Sequence, residues 1–384
     1  MRLEIGGTHG RPEFDLLLHL SRVNLTADAV AHCRHILAAH QEDFDWGFFI
    51  DQAGRHKVIP LVGKHIVTHR LLHRQADVPV IPYHWLFDSV YFANSRRNEA
   101  LAQEFGKVFF ALNEARICYA IRKGPVIVES LYQDPGLRRM YDLDILVDQP
   151  SATRICRVLE QCGYVQGRVS LDGKNIEPFT RQTQVFWGLH VNNQLPYVKL
   201  SRDPAVDVFP IDVCLDISQK ITQSKLSVPD ILGRRKPLEL CGVPSFAMSP
   251  EDQFIDLCLH LRKEATGRYY IEAGTDLQIL KFLDISLLCS YTTKCGGWDD
   301  ILRQVRATAT TESVYYAMHY TALLYPDSVP REILDALQPS DCQFLEEYGG
   351  VDGSIGRWSQ PFTERLFARD RQQWIDGTSS VPRV

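Results

Sequence analysis

What this 384-residue chain lacks narrows its class before any motif does. No uninterrupted apolar run approaches the roughly 20 residues that a membrane-spanning helix needs, so a membrane protein is not expected. The start, Met1-Arg2-Leu3-Glu4-Ile5-Gly6-Gly7, has no apolar stretch of the signal-peptide kind, and a cytoplasmic location is the default expectation. The ten cysteines include no Cys-x-x-Cys pair, and several, such as Cys258 and Cys289, have apolar neighbours. Most are therefore expected to be reduced core residues. The net charge of −5 argues against a broad nucleic-acid surface, although short clusters such as Arg234-Arg235-Lys236 leave local contacts open. There is no internal repeat and no low-complexity segment. The remainder is ordinary for a globular chain, 45% hydrophobic and 23% charged, and long enough for two or three domains with a substantial core.

The most informative residues are Asp142 and Asp144. They lie in Arg138-Arg139-Met140-Tyr141-Asp142-Leu143-Asp144-Ile145-Leu146-Val147, a β-prone run that reads as a strand. Side chains alternate along a strand, so both carboxylates share one face while Leu143, Ile145 and Val147 point to a core. Two carboxylates so close repel each other unless a cation lies between them. Their hard oxygens suit Mg²⁺.

Upstream, Arg122-Lys123-Gly124-Pro125 precedes the apolar stretch Val126-Ile127-Val128-Glu129-Ser130-Leu131-Tyr132. Proline is tolerated at the first helical position, so a helix is predicted from Pro125. Gly124 lets backbone amides approach a phosphate closely, and Lys123 and Arg138 flank the helix with positive charge. Asp134-Pro135-Gly136 is a turn that ends it.

The chain reads as three parts. Residues 1–95 are expected to be mostly helical, with a helix over Thr26–His40. There His65, His69 and His73 recur at every fourth residue, a stripe that could share zinc but that lies among basic solvated neighbours. Residues 96–240 read as mixed α/β: a long helix through Glu99–Ala120, the acidic strand, a helix over Thr153–Gln161 closed by Gly163, and a strand through Val208–Asp216. Val185–Val191 reads as the first arm of a hairpin, with Asn192-Asn193 as its turn. Residues 241–384 read as helical, and Ser249-Pro250-Glu251-Asp252 is a helix start with an N-cap serine, an N1 proline and early acids. The segment after Gly350, aromatic and basic through Trp358–Trp374, carries no functional signal.

The ordered set of motifs resembles the uncharacterised nucleotidyltransferase family, within the DNA polymerase-β-like nucleotidyltransferase superfamily. The resemblance rests on Lys123-Gly124, a helix, Arg138-x-x-x-Asp142-x-Asp144-x-Leu146-Val147 and a following helix ending in Gly163-Tyr164. It extends to Asp45-Trp46, Ala53, His56 and Val58-Ile59-Pro60-Leu61 upstream. Downstream it takes in Ser249-Pro250-Glu251-Asp252, His260 and Leu280-Lys281-Phe282-Leu283-Asp284-Ile285, so it covers roughly residues 40–300. It implies an α+β fold: a polymerase-β-like core, a small mixed sheet with helices, flanked by helical N- and C-terminal domains. It also implies a third aspartate on a neighbouring strand. Asp212 is that choice, with Asp216 the runner-up and Asp207 a weaker candidate. Where the family often has Asp-x-His-Trp, this chain has Asp212-Val213-Cys214-Leu215, which puts in doubt any acceptor contact made by the missing pair. His190 is a conceivable substitute for the imidazole. Lys281 and Asp284 lie three apart on one helix face, and a buried Asp284 would orient Lys281 or His260 toward a triphosphate or form a structural ion pair.

The implied reaction is two-metal, Mg²⁺-dependent transfer of a nucleoside monophosphate from an NTP, ATP foremost, to a small-molecule or peptide acceptor, with release of pyrophosphate. Asp142, Asp144 and Asp212 would hold the ions. Lys123, Gly124, Arg138, Lys281 and His260 would hold the nucleotide. Two other readings stand beside it: a toxin-like enzyme acting on tRNA or protein, and a nucleotide-binding protein that has lost catalysis.

Overall fold

A computed structural model describes residues 11–75, 78–79, 83–218, 224–349 and 353–375. The first seven residues and the end of the C-terminal segment lie outside them. The fold is mixed α+β. Four helices open it: α1 (Pro12–Leu20), α2 (Ala27–Ala39), α3 (Trp46–Arg55) and α4 (Ile59–Thr68). Local chemistry sets their starts. Thr26 Oγ1 accepts the Ala29 amide at 3.2 Å, and Asp45 Oδ1 accepts that of Phe48 at 2.9 Å.

The long helix α5 (His84–Glu114) starts and stops earlier than Glu99–Ala120. Arg116 takes a left-handed φ of +50° and reverses the chain, which frees Tyr119–Arg122 to become strand β1. A four-residue helix, α6 (Gly124–Ile127), passes directly into a π-turn over Val128–Tyr132. Strand β2 (Leu143–Val147), helix α7 (Ala152–Gln161), strand β3 (Val165–Gln166) and helix α8 (Arg181–His190) follow. Then come strands β4 (Tyr197–Leu200) and β5 (Val208–Cys214), helix α9 (Val228–Arg234), and the hairpin β6 (Lys236–Leu240) and β7 (Val243–Ala247). Two elements cross the positions where the sequence suggests divisions: α5 runs through residue 95 and the β6–β7 hairpin spans residue 240.

These strands form one seven-stranded mixed sheet in the order β6-β7-β1-β2-β5-β4-β3. β2 is central. It runs antiparallel to β1, with Arg122 opposite Asp144, and parallel to β5, with Asp144 opposite Asp212. Leu143, Ile145 and Val147 face a core with Leu101, Phe105 and Phe109 of α5 and Ile155 and Leu159 of α7. Ala120, Leu146 and Cys214 face the other way, into a larger core shared with the N- and C-terminal helices. A strand covered on both faces reads as a near-continuous apolar run, as this one does.

The sheet ladder begins at Leu143, not at Arg138. Before it, the backbone is held by a side chain: Asn98 Nδ2 donates to the Arg138 carbonyl at 2.7 Å, and Asn98 Oδ1 accepts the Met140 amide at 3.2 Å.

Beyond the sheet come α10 (Pro250–Thr266), α11 (Arg268–Glu272), α12 (Ile279–Cys295), α13 (Trp298–Ala307) and α14 (Thr311–Leu324). Phe254, Leu257, Cys258 and Leu261 of α10 are buried, as their spacing predicts. Among the described residues no helix is long and apolar enough to cross a membrane.

Ser249 starts α10 as expected. Its Oγ accepts the Asp252 amide at 3.2 Å and donates to Asp252 Oδ2 at 3.0 Å. Replacing Ser249 with Ala should cost about 1 kcal/mol, the usual worth of an N-cap, with the denaturation slope unchanged. Urea unfolding of the two proteins measures it, and equal midpoints would mean that this cap contributes nothing.

Candidate active site

A cavity of about 970 Å³ opens where the ends of β1, β2 and β5 meet α10 and α12. Lys123, Gly124, Arg138, Asp142, Asp144, Asp212, His260 and Lys281 all line it. The residues singled out in the sequence over a span of more than 150 positions are thus gathered around one space.

The acids come from neighbouring strands. Asp144 is the second residue of β2 and pairs in register with Asp212 of β5. Asp142 lies one residue before the ladder begins. Burial, reinforced by Asp144, pushes the Asp142 carboxyl up to about 6. Burial, reinforced by Asp142 and Asp144, pushes Asp212 up to about 7. Burial also acts to raise Asp144, but Lys123 and Arg122 outweigh it and hold this acid below its ordinary value. Lys123 Nζ stands 3.6 Å from Asp144 Oδ2. Asp216 lies past the end of β5. Its Oδ1 accepts the Ile217 and Ser218 amides at 2.7 and 3.0 Å, so it shapes a turn at the cavity rim. Asp207 is exposed and does not line the cavity.

The Lys123-Gly124 turn is tight. Lys123 has φ +48° and ψ −124°, a strained conformation for a side-chain-bearing residue, and such strain persists only where surrounding structure enforces it. A Cβ on Gly124 would lie 3.3 Å from the Asp142 carbonyl oxygen, so glycine lets the turn press against the acidic segment. α6 is too short to carry much of a macrodipole, which leaves the Lys123 side chain as the turn's main charge.

Two lysines that the sequence did not single out join the cavity. Lys57, between α3 and α4, lies with its ammonium 4.3 Å from the Tyr141 ring centroid. Lys263 is one turn beyond His260 on α10, and that three-residue spacing was the available signal. Burial lowers Lys57, and Arg138 and Arg139 lower it further against the pull of Tyr141 and Asp142. Burial also lowers Lys263, assisted by Arg122. His260 is held well below its usual value by burial, then by Lys123, Lys263 and Lys281. Glu264 serves this cluster: it receives His260 at 3.0 Å and is in contact with Lys281.

Arg138 lines the cavity but is already gripped. Its Nε and a terminal nitrogen each reach Asp284 at 2.9 Å, and Tyr132 Oη donates to the same carboxylate at 2.8 Å. Of the two readings of Asp284, the structural ion pair forms, with Arg138, and no pairing with Lys281 or His260 is present. Arg122 is likewise bound to Asp256 of α10, with Nε–Oδ2 3.0 Å. Both pairs are buried.

The predicted hairpin at Val185–Val191 is instead helix α8. Thr180 caps it by accepting the Thr183 amide at 3.2 Å, and none of its residues is buried. The β-prone Val-Phe-Trp run concealed that cap. Phe186, Trp187 and His190 line the cavity, and the His190 ring lies 4.7 Å from that of Phe186. Cys214, where the family often has histidine, is buried with its thiol 3.7 Å from Asp144 Oδ1.

The histidine stripe does not exist as a helical face. α4 ends at Thr68; His65 is buried on the Arg22 carbonyl at 2.6 Å; His73 belongs to a short strand. In the basic cluster, Arg234 is bound to Asp252 at 2.8 and 3.0 Å and Arg235 lies over the Phe246 ring.

Removing one partner of a buried pair strands the other charge. Asp284→Ala should therefore destabilise the protein by about 3–5 kcal/mol, and Arg138→Met/Asp284→Leu should recover much of that loss. Equal unfolding midpoints for wild type and Asp284→Ala would mean that the pair carries no structural weight.

Residues 42–326 match a family described as uncharacterised nucleotidyltransferases. No curated protein matches the chain.

Proposed function

The chain belongs to this nucleotidyltransferase family, and on that premise we propose that it transfers a nucleoside monophosphate from an NTP to a small-molecule or peptide acceptor in a Mg²⁺-dependent reaction. The observation that supports this most is the division of charge inside one cavity. Buried acids with raised pKa values gather at the strand ends, and buried lysines with lowered ones gather along Lys57 and α10. Among the described residues Lys123 reaches Asp144 and Lys281 reaches Glu264, while Asp142, Asp212, Lys57 and Lys263 form no ion pair. A metal–triphosphate supplies a cation to the acids and an anion to the lysines at once.

Asp142, Asp144 and Asp212 offer only hard carboxylate oxygens, a donor set that fits Mg²⁺, one ion or two. Bound there, the metal would neutralise charge on the phosphates and lower the pKa of an attacking hydroxyl. The rest falls to the protein. Lys123, Lys263 and Lys281 offset triphosphate charge, and Gly124 keeps the turn close. An acceptor oxygen forms a bond to the α-phosphorus as the bond from that phosphorus to the bridging oxygen breaks. Pyrophosphate leaves and the acceptor's proton is lost. The wall formed by Phe186, Trp187 and His190 is the place for the acceptor. A polymerase-β-like arrangement of the core accords with aspartates on two adjacent strands. An acceptor other than nucleic acid accords with the internal engagement of Arg234 and Arg235.

Thermal unfolding with each NTP, with and without Mg²⁺, tests the reading without knowledge of the acceptor. At about 100 times its Kd, a nucleotide should stabilise the wild type by about 2.7 kcal/mol, and only when Mg²⁺ is present. Asp144→Asn should abolish the shift and Lys123→Ala should reduce it. An equal shift in Asp144→Asn would remove the acids from the nucleotide site.

The raised acids also set a pH dependence. A carboxyl with a folded pKa above its ordinary 3.8 binds protons more tightly in the folded protein, so its contribution favours folding at low pH and is lost as pH rises from about 4 to about 7. Relative to Asp212→Asn, the wild type should lose stability across that window in metal-free buffer, and Mg²⁺ should flatten the difference. Parallel pH profiles for the two proteins would contradict it.

A further inference from the structure

Asp15 and His19 lie one turn apart on the outer face of α1, and His32 faces them from α2. His19 Nε2 is 3.3 Å from Asp15 Oδ1, and His32 Nε2 is 3.1 Å from Asp15 Oδ2. The imidazole centroids are 4.5 Å apart. Taking one ligand atom from each residue, all three lie within 4.8 Å of one another, and this is the one such His/Cys/Asp/Glu group found among the described residues. Ligands about 2.0–2.2 Å from a tetrahedral zinc are separated by about 3.3–3.6 Å, so the carboxylate–imidazole spacings are already near those of a coordination shell.

We propose that Asp15, His19 and His32 form a zinc site that joins α1 to α2. Two imidazoles and a carboxylate suit a borderline first-row cation and not the hard Mg²⁺ that the cavity acids would take. The three side chains are partly exposed, at 50%, 26% and 43%, so an ion can enter and water can complete its shell. None of them lines the large cavity, which makes the site structural in purpose. α1 is anchored by Leu16, Leu17, Leu18 and Leu20, whereas α2 buries only Cys33 and Ile36 of its 13 residues. A metal bridging the two would fasten the weakly held helix to the firmly held one. The site also lies before residue 42, where the family match begins.

The test is zinc titration of the chelator-stripped full chain against a chromophoric competitor, with Co²⁺ absorption as a second readout. Asp142→Asn/Asp144→Asn/Asp212→Asn serves as a background that removes the cavity acids, and excess Mg²⁺ on the otherwise unmutated chain serves the same end without mutation. One zinc per chain should bind in both settings. His19→Gln and His32→Gln, both at partly exposed positions, should each weaken it by about 100-fold or more, since even outer-shell partners are worth roughly 10–100-fold. Zinc should also slow proteolysis within α2 in the wild type and not in His32→Gln. Unchanged zinc affinity in both histidine variants, or no zinc binding at micromolar concentration in either setting, would reduce the cluster to a hydrogen-bonded surface triad and overturn the proposal.

Discussion

Two buried arginine–aspartate pairs, Arg122–Asp256 and Arg138–Asp284, are the interaction on which this architecture turns. Each joins the sheet side of the cavity to a different C-terminal helix, α10 in the first case and α12 in the second. Leucines alone could hold those helices against the sheet, but an apolar contact tolerates sliding. A bidentate fork on a carboxylate does not. Because a buried ion pair gives little net stability over a well-packed apolar one, its value here lies in fixing where α10 and α12 stop. His260, Lys263 and Lys281 then meet the cavity at set positions.

That fixed frame concentrates charge in a way a folded chain normally avoids. The acids on the strand ends and the cations facing them share one space, yet among the described residues only Lys123 pairs with one of these acids, at 3.6 Å from Asp144. The main cost falls on Asp142, Asp212, Lys57, Lys263 and His260, whose pKa values all move toward the neutral form. Perturbation by burial and a specific neighbour, within a cleft, marks a site organised for a ligand.

Much of this could be read before the fold was known. The Asp142-x-Asp144 pair, the Lys123-Gly124 turn and the Ser249 cap are local signals, each carried by a few adjacent residues; the cap forms as they indicate, the turn and both acids reach one cavity, and Asp142 falls just before the strand expected to carry it. What escaped was decided by distant partners. Residues 138–140 look like strand but are held by Asn98, some 40 positions away. Arg138 reads as a free cation beside a phosphate, yet Asp284, 146 positions away, takes its Nε and one terminal nitrogen. Lys57 carries no motif and Lys263 only its spacing from His260; Lys263 enters the cavity from α10, and Lys57 enters next to His56, which is hydrogen-bonded to the start of α12. The segment at 185–191 failed for a different reason: its residues favour a strand, but Thr180 supplies a helix cap.

The central position of β2 divides the cavity into parts of unequal permanence. Its residues are hydrogen-bonded to strands on both sides and covered on both faces, so their amides should exchange with solvent only when the whole domain opens. The wall formed by α8 has no buried side chain and should open by itself at little cost. The acids therefore form the fixed half of the chamber and the aromatic wall its replaceable half. Related chains could exchange that helix for another, and with it whatever the wall contacts, without disturbing the strands that carry Asp144 and Asp212.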